Sequence, residues 1–214
     1  MNIAVIPGIF FPKPGGVQVQ VHNIYNNLAK NKCNVDLYLF EKTDITNNYY
    51  NLKIFNRLFT SLIFILHYYL NINLFFFLRS YLKKIIKKNN YSIWHFHFIN
   101  YKSLIFINCL KSLNQKIVVT FHGIDIQIDK EIGYGYRLNK KFEKYLLNSL
   151  KNIDHFTFIS QTIKDDLLKL GIEEKKMTEV PNTIDLSRFK NDKKELVENK
   201  IIKLLTVARY DEKK

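Results

Sequence analysis

The sequence predicts an α/β domain built on a parallel sheet with helices on its faces. Three observations carry that prediction. Residues 2–6 form a short apolar run that stops at Pro7-Gly8, as a strand buried on both faces would. A loop ending in Gly15-Gly16 follows, and then Val17, Val21, Ile24 and Leu28 recur at helical spacing as far as about Lys30. Residues 35–40 are apolar again, so strand, glycine loop, helix and strand open a βαβ unit.

The alternation resumes beyond residue 90. Residues 92–98 and 116–121 are strand candidates, with a helix over 101–113 between them. A further helix is expected over 137–151 and a strand over 155–159. Ser160 stands where it can cap the helix that runs to Leu170, and Gly171 supplies the usual stop. A short strand over 176–180 leads into Pro181. Residues 184–200 are polar and without strong period, and residues 202–207 form a fresh apolar strand close to the last residue.

Residues 58–78 carry no formal charge and lie between Arg57 and Arg79. Their length would reach across a bilayer, but His67, Asn71 and Asn73 would lie near its centre, where polar groups are costly. Lys83, Lys84, Lys87 and Lys88 follow directly. Three readings stay open: a pair of core helices, which leads, an interfacial segment against anionic lipid, and a span.

The 214 residues, 47% hydrophobic and 24% charged, suffice for one α/β domain with a real core and are short for two. The net charge of +14 attracts anions of any kind, although the heavy use of Lys, Asn and Ile matches an AT-rich coding sequence and discounts part of it. No zinc-finger spacing, RNA-binding aromatic signature or helix-turn-helix pattern is present, so nucleic acid is not the expected partner. A membrane surface or a lipid-diphosphate acceptor fits better. Cys33 and Cys109 cannot make a disulfide scaffold and read as buried free thiols of a reducing compartment. The opening MNIAVIPGIFFP lacks the basic region of a signal peptide, and a cytoplasmic location is expected.

Five places could carry chemistry. Gly15 and Gly16, before a helix, let backbone N–H groups approach an anion, though two glycines in a turn are often structural and G-x-G-x-x-G is absent. The stretch 120–125, TFHGID, follows a strand at the sheet edge where ligands bind, so His122 and Gly123 can offer donors to a sugar hydroxyl; the plainer reading is a turn. His95 and His97 in WHFHF alternate onto one strand face. With no clear third ligand they read as packed or cleft-lining rather than as a metal pair, and no nucleophile motif accompanies them. The stretches VPNTIDLSRF and VARYDEKK complete the set, and Arg209 and Lys214 in the latter are cations of the kind that clamp a diphosphate.

In order, PKPGGVQ, HFHF, TFHGID, FISQTIKDDLLKLGI, VPNTIDLSRF and VARYDEKK resemble the retaining family 4 glycosyltransferases of the GT-B fold. The resemblance covers nearly the whole chain, with residues 45–90 the least recognisable. It implies two Rossmann-like domains about a cleft, the first binding mainly the acceptor and the second the nucleotide sugar. Residues 1–181 would then be the N-terminal domain, 182–200 the junction, and 201–214 the start of a donor-binding domain truncated after its first strand.

By the same resemblance, His122 is the catalytic candidate beside the donor sugar, and Gly15 and Gly16 face the donor phosphate or the acceptor. His97 and Asp125 belong to the acceptor cleft, Asn182 and Asp185 to the junction, and Arg209 and Lys214 to the donor diphosphate. Charge stabilisation by that cation pair replaces a metal, so no cofactor or metal is expected. The family's acidic motif for the donor would lie beyond Lys214. The resemblance implies hexosyl transfer in surface polysaccharide or glycolipid synthesis, by an enzyme attached peripherally at the inner face of the plasma membrane. The chain alone is expected to be an incomplete, inactive portion. The alternative is a non-enzymatic acceptor- or membrane-binding half that works with a separately encoded donor domain. A nucleotide-sugar epimerase is disfavoured by VPNTID and VARYDEKK.

Overall fold

A computed structural model describes residues 1–12, 15–46, 48–184 and 205–206. Seven parallel strands form one sheet in the order β3-β2-β1-β4-β5-β6-β7. They are β1 (Asn2–Pro7), β2 (Asn34–Leu39), β3 (Asn51–Ile54), β4 (Ile93–His97), β5 (Ile117–Phe121), β6 (His155–Phe158) and β7 (Met177–Glu179). Six helices connect them: α1 (Gly16–Lys30), α2 (Arg57–Leu70), α3 (Phe75–Asn89), α4 (Tyr101–Lys111), α5 (Lys140–Leu150) and α6 (Gln161–Lys169).

Strand alternation sends successive side chains into two separate cores. Ile3 and Val5 of β1 join Val35, Leu37 and Leu39 of β2 under Val21 and Tyr25 of α1. Ala4 and Ile6 point the other way, into the larger core with Trp94, Phe96, Val119, Phe121 and the apolar faces of α3 to α6. Burial on both faces explains why β1, β4 and β5 read as apolar runs.

β3 is absent from the sequence reading because NLKI is only four residues long and largely exposed at the sheet edge, with Leu52 its one side chain packed against a core. Asn51 Nδ2 fastens it by donating to the buried Asp36 at 2.9 Å, and the Tyr91 hydroxyl donates to the same carboxylate.

Residues 58–78 are parts of two helices, as the leading reading expected, since Asn71 takes a left-handed conformation (φ 54°) and ends α2; three other expectations need correction. Among the described residues no helix is long and apolar enough to cross a membrane, so the span reading fails and the core and interfacial readings survive. The single helix expected over 137–151 is a 3₁₀ turn (Tyr136–Leu138) followed by α5, because the Asn139 side chain caps α5 by accepting the Lys141 and Phe142 amides. Ser160 occupies the N-cap of α6, but its hydroxyl bonds Thr162 Oγ1 at 3.0 Å rather than a helix amide. The strand expected over 202–207 lies outside the described residues except for Leu205 and Thr206.

Candidate functional site: an aromatic cavity beside a histidine cluster

The C-terminal ends of β1, β2, β4 and β5 open onto one edge of the sheet, where open parallel sheets bind ligands. A cavity of about 860 Å³ lies there, within the range of small-molecule sites. Its floor is the loop after β1, Gly8 to Pro12, with Leu39 to Glu41 after β2. Phe64, Tyr68 and Tyr69 of α2 line it, as do Tyr136, Asn139 and Phe142 around the start of α5. Tyr101 and Lys102 close the back, and the Lys102 ammonium lies 5.5 Å from the Phe40 ring centre and 5.3 Å from that of Phe64. Broad aromatic faces with one cation and one carboxylate suit a ligand that is part sugar, part apolar and part anionic.

Gly8 makes this edge possible. A Cβ there would sit 1.7 Å from the Phe98 carbonyl oxygen. The Gly8 amide donates to His97 O at 2.6 Å, and Asn100 Nδ2 donates to Gly8 O at 2.9 Å while Asn100 Oδ1 caps α4 by accepting the Ser103 amide. The Pro-Gly pair directly after a strand was the available signal for this crossing. The cavity residues Tyr101, Lys102 and Tyr136 had none, since aromatic and basic residues are common throughout the chain.

Gly15 and Gly16 stand at the start of α1. Gly15 has extended backbone (φ −178°), and α1 has neither a side-chain cap nor an acidic residue in its first turn. A Cβ on Gly16 would meet nothing within 4 Å. At Gly15 the Gln18 side-chain oxygen lies close, 2.6 Å from where a Cβ would sit, and the helix dipole favours negative charge at this end of α1.

His122 follows β5 and is held from behind. Asp125 Oδ1 accepts the amides of His122 and Gly123 at 3.0 and 2.9 Å, and Oδ2 accepts that of Ile99 at 3.0 Å. Asp125 is fully buried, which raises its carboxyl to about 6 against the opposing pull of those amides. His122 Nε2 meets His97 Nδ1 at 3.1 Å, and burial lowers the His122 imidazole to about 4. Its Nδ1 is buried with no hydrogen-bond partner among the described residues.

His95 and His97 do share one face, their ring centres 4.3 Å apart, and both turn a nitrogen to the Tyr25 hydroxyl of α1. The structure thus brings His97, His122 and Asp125 together, but His97 is 1% exposed and Asp125 0%, and neither lines the cavity. They brace the edge from beneath. Asn182 lies exposed in the segment after β7, next to Thr183, which is bonded to Gln20 of α1. Asp185, Arg209 and Lys214 lie outside the described residues.

A parallel α/β sheet with helices on its faces is the architecture that the resemblance implies for the first domain. Residues 14–188 match Glycosyltransferase Family 4, and the chain belongs to that family. Among solved structures it is similar to HepE of Anabaena in complex with UDP, at 12% identity and TM-score 0.60, over 87% of this chain and 45% of that one. It is also similar to a glycosyltransferase from Rickettsia africae, at 18% identity and TM-score 0.57, over 87% of this chain and 44% of that one. The chain thus spans less than half the length of these proteins, and identities so low speak for the fold alone. A RING finger protein of Plasmodium falciparum is 30% identical over 155 residues, which are 65% of this chain and 11% of that protein. A RING site needs clustered Cys and His ligands, and this chain has two cysteines.

Proposed function

We propose that the chain is the acceptor-side half of a glycosyltransferase that moves a hexose from a nucleotide sugar to a saccharide or lipid-linked acceptor in surface polysaccharide or glycolipid synthesis. The observation that carries this reading is the aromatic cavity with Lys102, set on the same sheet edge as His122 and the uncapped start of α1. The cavity suits the acceptor, the α1 terminus a phosphate, and His122 the donor sugar between them. UDP bound to HepE supports a nucleotide-sugar donor. Arg209 and Lys214 would hold the diphosphate, Asn182 and Asp185 would position the hinge, and no metal is required for that charge stabilisation. The transfer is proposed for the whole protein. Purified chain incubated with labelled nucleotide sugars and a membrane lipid extract should leave the lipid phase unlabelled, and clear turnover would overturn the assignment of this chain to the acceptor half.

A peripheral position on the cytoplasmic face of the membrane is part of the same reading. Leu58, Leu62, Ile65 and Tyr69 recur at i, i+4, i+7 and i+11 along α2 and are all exposed, Leu58 to 85%. Phe76 and Phe77 at the start of α3 extend the apolar face, and exposed Arg57, Lys83, Lys84, Lys87 and Lys88 border it. Apolar side chains rimmed by cations suit an anionic bilayer surface. Phe64 and Tyr68 on the same helix wall the cavity, so a lipid-linked acceptor would have a short path into it. This surface also supports the second reading, an acceptor- or membrane-binding half that works with a separate donor domain. Flotation with vesicles containing anionic lipid at low salt tests the surface: the chain should float, and failure to do so would count against it.

A further inference from the structure

Six buried or half-buried side chains from four elements form one unbroken hydrogen-bonded chain. His122 Nε2 meets His97 Nδ1 at 3.1 Å, and His97 Nε2 meets the Tyr25 hydroxyl at 2.6 Å. That hydroxyl meets His95 Nδ1 at 2.7 Å, His95 Nε2 meets Thr120 Oγ1 at 2.8 Å, and Thr120 Oγ1 bonds Thr157 Oγ1. Burial holds all three imidazoles neutral at pH 7, so each ring carries one proton and offers one lone pair. Burial likewise holds the Tyr25 phenol in its protonated form.

Only two arrangements satisfy every link. If Tyr25 donates to His97, all three rings are protonated on Nδ1, and the series ends in an N–H on the His122 atom that has no partner. If Tyr25 donates to His95, all three are protonated on Nε2, and the same atom of His122 ends in a lone pair. Hydrogen-bond chains of this kind turn as a unit, because one reversed link leaves two donors or two acceptors face to face. A buried N–H with no acceptor is the rarer and costlier orphan.

We propose that Tyr25 is a positioning residue that fixes the tautomer of His122 through His97, holding His95, His97 and His122 all in the Nε2–H form so that His122 presents a lone pair. The functional consequence rests on the reading of His122 as the group beside the donor. Nδ1 is buried and the ring lies outside the cavity lining, so its lone pair would meet a ligand only where binding uncovers it; there it would take a hydroxyl or other donor and turn away a phosphate oxygen.

Long-range 1H–15N correlation spectra of the uniformly labelled 214-residue chain at pH 7 read the three tautomers directly. The expected result is Nε2 protonated and Nδ1 bare on all three rings. In Tyr25→Phe, the His97 Nε2–H loses its acceptor. His97 should then turn its proton to Nδ1 and drive His122 to Nδ1–H, where the orphan lies on the less buried ring. Thr120→Val breaks the other end, and the switch should pass from His95 through Tyr25 to His122, which the substitution does not touch. It also serves if Tyr25→Phe does not fold. Mixed tautomers in the unaltered chain, a charged ring at pH 7, or an unchanged His122 tautomer in a folded variant would overturn the proposal. No nucleotide sugar enters these spectra, so failure of the transferase reading would leave them unaffected, and their failure would not touch that reading.

Discussion

Gln20 holds Thr183 by both backbone groups: its Nε2 donates to the Thr183 carbonyl at 2.6 Å, and its Oε1 accepts the Thr183 amide at 3.1 Å. The pairing copies one step of a strand ladder with a side-chain amide. It ties the segment that contains Asn182 back to α1 across 163 residues of sequence.

Because that pair is exposed, Gln20→Ala should cost the fold little, about 1 kcal/mol or less. It should nevertheless raise the amide exchange rate of Thr183 and expose the bond after Pro181 to proteolysis. Unchanged exchange at Thr183 in the variant would show that the segment is held by other contacts.

Asp125 tests the bracing of His122. Replacing it with Asn keeps its size but turns one acceptor oxygen into a donor facing an amide, among Ile99, His122 and Gly123. One buried amide left unsatisfied costs about 1–3 kcal/mol, so Asp125→Asn should lower the unfolding free energy by that amount, read as a lower urea midpoint with the unfolding slope kept. A midpoint equal to that of the unaltered chain would contradict the geometry.

Stability should also depend on acid in a defined direction. Histidine in the unfolded chain protonates near 6.5, whereas burial holds His95 to about 3, His122 to about 4 and His97 well below its usual value. As pH falls below 6.5 the unfolded state takes up protons that the native state refuses, so stability present above 6.5 is lost toward pH 4. Each ring contributes about 1.4 kcal/mol per pH unit in that window. Asp125 acts oppositely: its carboxyl, raised from 3.8 to about 6, binds a proton in the native state first and offsets roughly one ring below pH 6. Urea unfolding should therefore show a lower midpoint at pH 5 than at pH 7, and an equal or higher midpoint would mean that the rings are not buried as described.

Much of this architecture was legible in the sequence because parallel strands are apolar on both sides. β1, β4 and β5 stand out as runs, and Gly171 (φ 80°) marks the end of α6 as expected. β3 was hidden because four residues with only Leu52 and Ile54 apolar are too short a pattern to announce an edge strand. At the site, alternation placed His95 and His97 on one face, but Tyr25, their common partner, lies 70 and 72 residues away and reads only as a core residue of α1. The cavity was hidden for the same reason. Its walls come from segments as distant as Gly8, Phe64 and Tyr136, and no single segment carries its chemistry. His122 was singled out by the family resemblance, since a histidine and a glycine after a strand read as readily as a plain turn.

The central claim is that the aromatic cavity takes the acceptor. Saturation-transfer NMR between the chain and a short lipid-linked saccharide tests it most directly, with Phe64→Ala and Tyr136→Ala each removing an aromatic ring from the lining. The account predicts transfer to both sugar and first lipid protons in the unaltered chain and its loss in each variant that keeps its fold. No transfer to the unaltered chain, or equal transfer to all three proteins, would contradict it.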